Sequence, residues 1–311
     1  MTARSWGLLG LLAAIWGSSY LFIALGLTDV SPVMLVFLRA ALAAAVVVPL
    51  GLRHRHTLRG HWKAVPLLAL SQVVAPFLLI SFAEQRIPSS LAGVLVSSQP
   101  LWLAVLLPLL RAGRPALVSG VGTLVGFGGV ALVTGYDGGG AVDLAGVVMV
   151  LGAGLSYALA AWWARHAMTG VHPLAQTAAM LTTASIVLAP FAAFQLPSSI
   201  GLVSGGAILV VAVVGTGGAF VIFTWLVKNV GPARASLVSY LAPAFALGYG
   251  AVLLREPVGL LSFVGLALVL AGSWLSTRTT LRPRWPVPRR TRVVALQQPE
   301  SCAATSSTTE P

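Results

Sequence analysis

The chain has 311 residues, of which 57% are hydrophobic and only 8% charged, with a mean hydropathy of +0.92 and a formal net charge of +12. A water-soluble domain carries about 25% charged residues, and so few charges cannot cover a water-facing surface, which leaves a polytopic membrane protein. The positive charge does not point to nucleic acid, because the Lys and Arg residues lie in short connectors and the C-terminal tail, the placement that sets membrane topology.

A spanning helix needs about 20 mostly apolar residues. Ten segments qualify, near 6–27, 31–52, 64–83, 89–110, 116–136, 144–164, 173–194, 204–226, 233–254 and 258–277. The first is longer than the apolar core of a signal peptide and is read as a retained helix. It holds Trp16, Ser18, Ser19 and Tyr20, with Trp16 away from the interfacial belt where Trp collects. The second carries Arg39, eight residues in from Ser31, or roughly 12 Å at 1.5 Å per residue. The third holds Gln72, and the fourth Ser97, Ser98, Gln99 and Pro100. Gly120, Gly122, Gly126, Gly128 and Gly129 crowd the fifth, which suits close helix approach. Ser156 and Tyr157 lie in the sixth, with Trp162 and Trp163 at its end as interfacial anchors. The ninth carries Tyr240 and Pro243, then the charged break Arg255, Glu256, Pro257. Residues 278–311 are rich in Arg, Pro, Ser and Thr and are expected to form a disordered basic cytoplasmic tail, drawn to anionic lipid heads. The single cysteine, Cys302, lies there, with no disulfide pair and no Cys/His metal spacing; no cofactor is implied.

The two halves of the chain match. Subtracting 143 places Pro243 on Pro100, Gly265 on Gly122 and Gly272 on Gly129. Pro32 and Pro49 bracket the second segment with the spacing of Pro173 and Pro190 around the seventh. Five segments per half is an odd number, so the second half inserts upside down relative to the first, as two inverted five-helix repeats at residues 5–136 and 144–277. The expected fold is therefore an all-α membrane protein of ten transmembrane helices. With a cytoplasmic N-terminus, Arg53, Arg55, Arg59, Lys63, Arg111, Arg114, Arg165, Lys228 and Arg234 are all cytoplasmic, and the opposite side holds Asp29, Glu84, Asp137, Asp143 and Glu256 with only Arg86 and Arg255. Both termini are then cytoplasmic, in a multi-pass protein of the inner or plasma membrane.

The order Trp16-Gly17-Ser18-Ser19, Phe37-Leu38-Arg39, Pro100-Leu101, Leu241-Ala242-Pro243, Arg255-Glu256-Pro257 and then Gly265 and Gly272 resembles EamA-type transporters of the drug/metabolite transporter superfamily, over roughly residues 5–277. Where such proteins carry a Gly-Glu-Arg-like break after the fourth helix, this chain has Arg111-Ala112-Gly113-Arg114, so Glu256 has no counterpart in the first half. The resemblance implies two bundles flanking a central cavity that opens alternately to each side. It also implies transport of a small-molecule solute by a permease, commonly export of a metabolite, amino acid or toxic compound, and not catalysis.

Candidate residues follow from cost and clustering. Charge inside a bilayer is expensive, about 2.5–3.5 kcal/mol for Arg at a helix centre on insertion scales. Arg39 is either an anion contact in the cavity or a structural Arg bonded to carbonyls; its counterpart is the uncharged Met180. Trp16, Tyr20, Tyr157 and Tyr240 supply aromatic faces, and Ser19, Gln72, Ser97, Gln99 and Ser156 polar groups, for a shared cavity; the same Ser and Gln types also serve as glue between helices. Pro100 and Pro243 are read as kinks that bend during gating, with Glu256 at the extracytoplasmic mouth. No carboxylate is placed deep in a helix and all five His residues fall in connectors, so no proton carrier is evident; a facilitator, an exchanger, or coupling through Glu256 all stand open. A membrane-embedded enzyme on a lipid-linked substrate would have only Glu84 and Glu256, with Arg86 and Arg255, to work with.

Overall fold

The computed structural model describes residues 1–109, 117–135 and 142–278. The Arg111–Arg114 break, Asp137 and the tail beyond Arg278 lie outside the described residues. Every regular element described is helical. Helix α1 spans Ala3–Gly26 and α2 Pro32–Leu52; α3 (Val65–Ala69) passes through a π turn into α4 (Ala75–Ala83). The fourth segment forms α5 (Ser89–Val96) and α6 (Gln99–Leu109), followed by α7 (Leu117–Gly135), α8 (Leu144–Ala167) and α9 (Pro173–Ala193). Then come α10 (Leu202–Leu209), a π turn, α11 (Ala219–Val230), the short α12 (Pro232–Ala235), α13 (Val238–Leu253) and α14 (Leu260–Arg278).

Among the described residues, eight helical stretches are long and apolar enough to cross a membrane, and two further apolar helices, Val238–Leu253 and Leu260–Ser276, are shorter. The ninth segment is shortened because it breaks at Ser236–Leu237, before α13. Leu117, Leu202, Phe194 and Leu260 stand 77–97% exposed, as side chains do when their solvent is hydrocarbon. Helix starts are encoded locally. Ser31 Oγ accepts from Met34 N–H at 3.2 Å with Pro32 in the first turn, and Asp143 Oδ1 accepts from Ala145 N–H at 2.8 Å.

The fourth segment corrects the mid-helix reading of Pro100. The chain turns at Ser97–Ser98, and Pro100 falls in the first turn of α6, where its missing N–H costs nothing. Pro243, its match in the second half, lies inside α13 as expected.

The most extensive pairing joins α7 to α14, then α2 to α9 and α1 to α13. The glycines found by the offset of 143 make the first of these. A Cβ on Gly122 would meet Gly272 O at 2.9 Å, and one on Gly129 would meet Gly265 O at 2.7 Å. Lower numbers on α7 thus face higher numbers on α14, and the two helices run antiparallel. The same holds for α2 and α9, where Gly51 abuts Leu174 O at 2.8 Å, and for α5 and α13, where Gly93 faces Ala246 and Gly250 faces Ser90. A side chain on Gly272 would enter the α7 backbone at Gly122 and Gly126. Gly272→Val is therefore expected to force α7 and α14 apart at a cost of about 1–3 kcal/mol, read as a lower melting temperature of the detergent-solubilised chain, whereas Gly128→Ala, facing open space, leaves it unchanged.

Candidate functional site

Arg39 is 7% exposed, in the middle of α2. Its Nε donates to Thr216 Oγ1 at 2.8 Å, and its guanidinium lies over the Phe77 ring at 3.8 Å. Thr216 Oγ1 in turn donates to Val211 O at 2.9 Å, so its lone pair is aimed at the arginine. Both partners depend on irregular helix. Thr216 sits in the π turn Val210–Gly218, and Phe77 follows the π turn Leu70–Val74, at corresponding places in the two halves. A π turn swings a side chain off the regular helical face and occurs mostly at functional positions. Among the described residues no protein group accepts from the terminal amino groups of Arg39, which are left for another acceptor.

Tyr20 of α1 and Tyr157 of α8 lie within electrostatic reach of Arg39, as does Glu84 at the end of α4. The Tyr20 ring packs against Gly93, where a Cβ would meet it at 3.1 Å. Ser19 Oγ lies 3.2 Å from where a Cβ on Gly215 would stand, one residue from Thr216. Tyr20, Arg39, Tyr157 and Ser19 are therefore brought to one place, the second half contributing through Thr216.

The other expected residues are spread around this centre. Ser156 Oγ donates to Ser71 O at 2.9 Å, a helix-to-helix tie beside Gln72, whose side chain makes no hydrogen bond among the described residues. Trp16 packs against Phe220 and Phe223, at ring distances of 6.4 and 5.5 Å, in an apolar cluster with Leu12. Ser97 Oγ turns back to Val94 O, and its own carbonyl accepts from Ser273 Oγ at 3.4 Å. Gln99 opens α6 beyond the break, and Tyr240 lies near the start of α13. A groove of about 340 Å³ lies apart from this centre, lined by Ala244, Phe245, Gly248, Tyr249, Val252 and Leu253 of α13 alone. Thr216, Phe77 and the inward carboxylate of Glu84 were not anticipated. Thr216 is masked in a Gly-rich run and Phe77 in an apolar one; the one available signal was the lone hydroxyl in Gly215-Thr216-Gly217-Gly218.

The two ends of the bundle are tied differently. At one end, carboxylates hold helix starts. Glu256 accepts from Ser89 N–H at 2.7 Å and Ser90 N–H at 2.8 Å, bridging the α13–α14 connector to α5. Asp29 accepts from Gly201 N–H at 2.8 Å, joining the α1–α2 connector to α10. Asp143 caps α8 and pairs with Arg86 at 3.0 Å; that arginine hydrogen bond, with the backbone N–H of Ala145, holds its carboxyl below the ordinary aspartate range. At the other end His172 N–H donates to Thr57 Oγ1 at 3.1 Å, its ring stacks on His54 at 3.7 Å, and its Nδ1 accepts from Leu174 N–H at 3.3 Å. Desolvation, then the nearby His54, Lys228 and His56, push the His172 ring below the usual histidine value.

The EamA-like transporter family matches the chain over residues 4–135 and again over residues 144–278. An uncharacterized transporter of Archaeoglobus fulgidus is 25% identical over 286 residues, spanning 88% of this chain and 99% of the relative. The uncharacterized inner membrane transporter YedA of Escherichia coli K12 is 26% identical over 278 residues, spanning 85% and 87%, and the uncharacterized transporter YvbV of Bacillus subtilis is 23% identical over 281 residues, spanning 85% and 88%. One solved crystal structure superposes with a TM-score of 0.65 at 19% identity, covering 92% of this chain and all of its own, a likeness of fold.

Thr216→Val keeps the shape and removes the acceptor of the Arg39 Nε–H. It is expected to lower stability by about 1–3 kcal/mol, measured by thermal unfolding in detergent, whereas Thr216→Ser, which keeps the hydroxyl, should lose little of it. The depressed His172 stabilises the fold when neutral. That contribution is complete above the ordinary histidine value of about 6.5 and is lost as pH falls through the lower folded value. Melting temperature should therefore drop as pH falls below the ordinary histidine value of about 6.5, since a protonated Nδ1 can no longer cap α9, and His172→Asn should flatten that part of the profile.

Proposed function

The chain belongs to the EamA-like transporter family of multi-pass membrane proteins, and on that footing we propose that it is a secondary transporter that exports a small organic solute bearing an anionic group. Ten helices form two five-helix halves of opposite orientation, the shorter α13 and α14 completing the second. The Lys and Arg placement supports cytoplasmic termini, and an inner-membrane location accords with the relative YedA, named an inner membrane transporter. The antiparallel meeting of offset-matched helices, α7 with α14 and α2 with α9, supports the inverted arrangement.

The observation that carries the reading is Arg39. It is buried, anchored through Nε alone, and braced on Phe77, with its terminal amino groups free of protein acceptors. A planar guanidinium fixed in this way offers parallel N–H donors to a carboxylate or phosphate. Tyr20 and Tyr157 lie within its electrostatic reach and offer aromatic faces and hydroxyls, and Ser19, Gln72, Ser97, Gln99, Ser156 and Tyr240 extend the surface exposed as the halves rock, while Trp16 stays packed on Phe220 and Phe223. Pro243 and the break before Pro100 mark where the helices yield, and Glu256 closes one mouth. A membrane-embedded enzyme finds no support in the relatives, which are named as transporters.

Flux of a panel of radiolabelled organic acids, amino acids and uncharged analogues through reconstituted protein tests this. Arg39→Ala is expected to reduce flux of the anionic solutes by about tenfold or more, and Arg39→Lys, which keeps charge but not the fork, by less. Undiminished flux in both variants, inserted at normal levels, would sink the assignment.

A further inference from the structure

Five buried side-chain polar atoms among the described residues have no hydrogen-bond partner, and three of them lie on one turn: Ser81 Oγ and both carboxylate oxygens of Glu84. Three residues apart at the end of α4, these side chains share a face. Glu84 N–H still bonds to Ile80 O at 2.9 Å, so the turn holding it is helical. The residue as a whole is partly exposed while both oxygens are buried, so the stem meets the surface and the carboxylate points inward. A position at the end of an apolar segment suggests a solvated interfacial carboxylate; the structure corrects this.

The charges around it do not satisfy it. Arg39 of α2 is within electrostatic reach but is engaged with Thr216 and Phe77, and forms no ion pair with Glu84. From α1 and α8 come the neutral phenols of Tyr20 and Tyr157, of which Tyr20 couples to it. Arg86, two residues on, is committed to Asp143 at the start of α8. The π turn Leu70–Val74 brings only Ser71 and Gln72. The remaining neighbour, Glu256, is of like charge, and its carboxylate is held by Ser89 and Ser90 N–H, five and six residues beyond Glu84. An ionised carboxylate with no donor in a protein interior is far costlier than its protonated form, and such a group takes up a proton instead.

We propose that Glu84 is a proton-binding site of the transport pathway, a neutral carboxylic acid while Glu256 holds Ser89 and Ser90 N–H, that gives up its proton to water when that end of the bundle opens. The two acids are linked through space. With Glu84 protonated, the Glu256 carboxylate is the single negative charge at the start of α5 and its hold on Ser89 and Ser90 is unopposed. With Glu84 ionised, a second negative charge faces the first and favours release. One proton bound or lost at Glu84 is thereby tied to closing or opening of one mouth. The word pathway rests on the transporter reading; the protonation does not.

Infrared spectroscopy of the full chain in liposomes tests it with the proton as the probe. At about pH 7, where ordinary carboxylates are ionised, wild type should show the stretch of a protonated carboxyl group. It should vanish in Glu84→Gln, persist in Glu256→Gln, and shift on labelling with heavy-carbon glutamate, which assigns it even should Glu84→Gln fail to insert. Hydrogen exchange in the peptide covering 85–96 should accelerate with pH in wild type beyond the intrinsic rate of amides, and lose that excess in Glu84→Gln. A wild-type spectrum with no protonated carboxyl at neutral pH, a band that survives in Glu84→Gln, or a glutamate that is ionised and responds to sodium would each overturn the proposal. These outcomes are separable from the flux results, since a chain that moves no solute would still show or lack the band.

Discussion

A guanidinium buried among apolar helices must be held, or it will find the surface. Here it is held from three sides: by α2, which carries Arg39; by a hydroxyl of the second half, Thr216; and by a ring of the first, Phe77. Thr216 lies within a π turn, and Phe77 three residues beyond another. The π turns at Leu70–Val74 and Val210–Gly218 spend helical regularity at matching places to deliver Phe77 and Thr216. The bond from Arg39 to Thr216 spans 177 residues of sequence and crosses between the halves. Any movement of one half against the other must therefore keep, lengthen or break it. The arginine therefore ties the charge inside the bundle to the contact between the halves.

The halves are alike in scaffold and unlike in chemistry. The glycines related by an offset of 143 meet across α7 and α14, Gly122 near Gly272 and Gly129 near Gly265, so the packing surface of the duplicated element is used against its own copy. Close approach there leaves no room for side chains and favours a rigid pair. The matched prolines have diverged. Pro243 lies within α13, whereas Pro100 lies in the first turn of α6 after a break at Ser97–Ser98. Around that break Ser98 Oγ and Trp102 Nε1 are buried without partners, facing Gly154 of α8. Unsatisfied polar atoms at a helix break cost energy in this conformation, which is what a joint that adopts a second arrangement requires.

Much of this was legible in the sequence. Apolar segments, glycine spacing and the duplication need only composition and register, and they led to the helices and to a closely packed fifth segment, while its partner, α14, is seen only in the structure. Arg39 stood out because charge in an apolar run is rare. What could not be read depended on three-dimensional circumstance. Glu84 follows Ala83 at the end of a span, and the same residue would be solvated were the α13–α14 connector not folded over α5 through Glu256. Thr216 is a small residue among glycines, and only the π turn makes it a ligand for Arg39. Trp16 is the opposite case. Its mid-segment place suggested a binding face, but Phe220 and Phe223 occupy that face, and an aromatic at helical spacing gives no sign of whether its neighbour is solute or side chain.

The two ends of the bundle differ in the groups that close them, and this bears on how opening is controlled. At the acidic end, Asp29, Asp143 and Glu256 each accept from backbone N–H groups at helix starts, and two of the three reach into the other half. The free N–H groups of a helix start suit an acidic acceptor. At the other end, His172 bonds Leu174 N–H and stacks on His54 while neutral. The Asp143 contacts at one end and the His172 contacts at the other both weaken on acidification, so neither by itself gives one end an advantage over the other. A group that behaves oppositely is needed to break the tie. A buried carboxyl that favours closure when protonated has that sign, and Glu84 is the carboxylate placed beside the Glu256 contact with both oxygens unpaired.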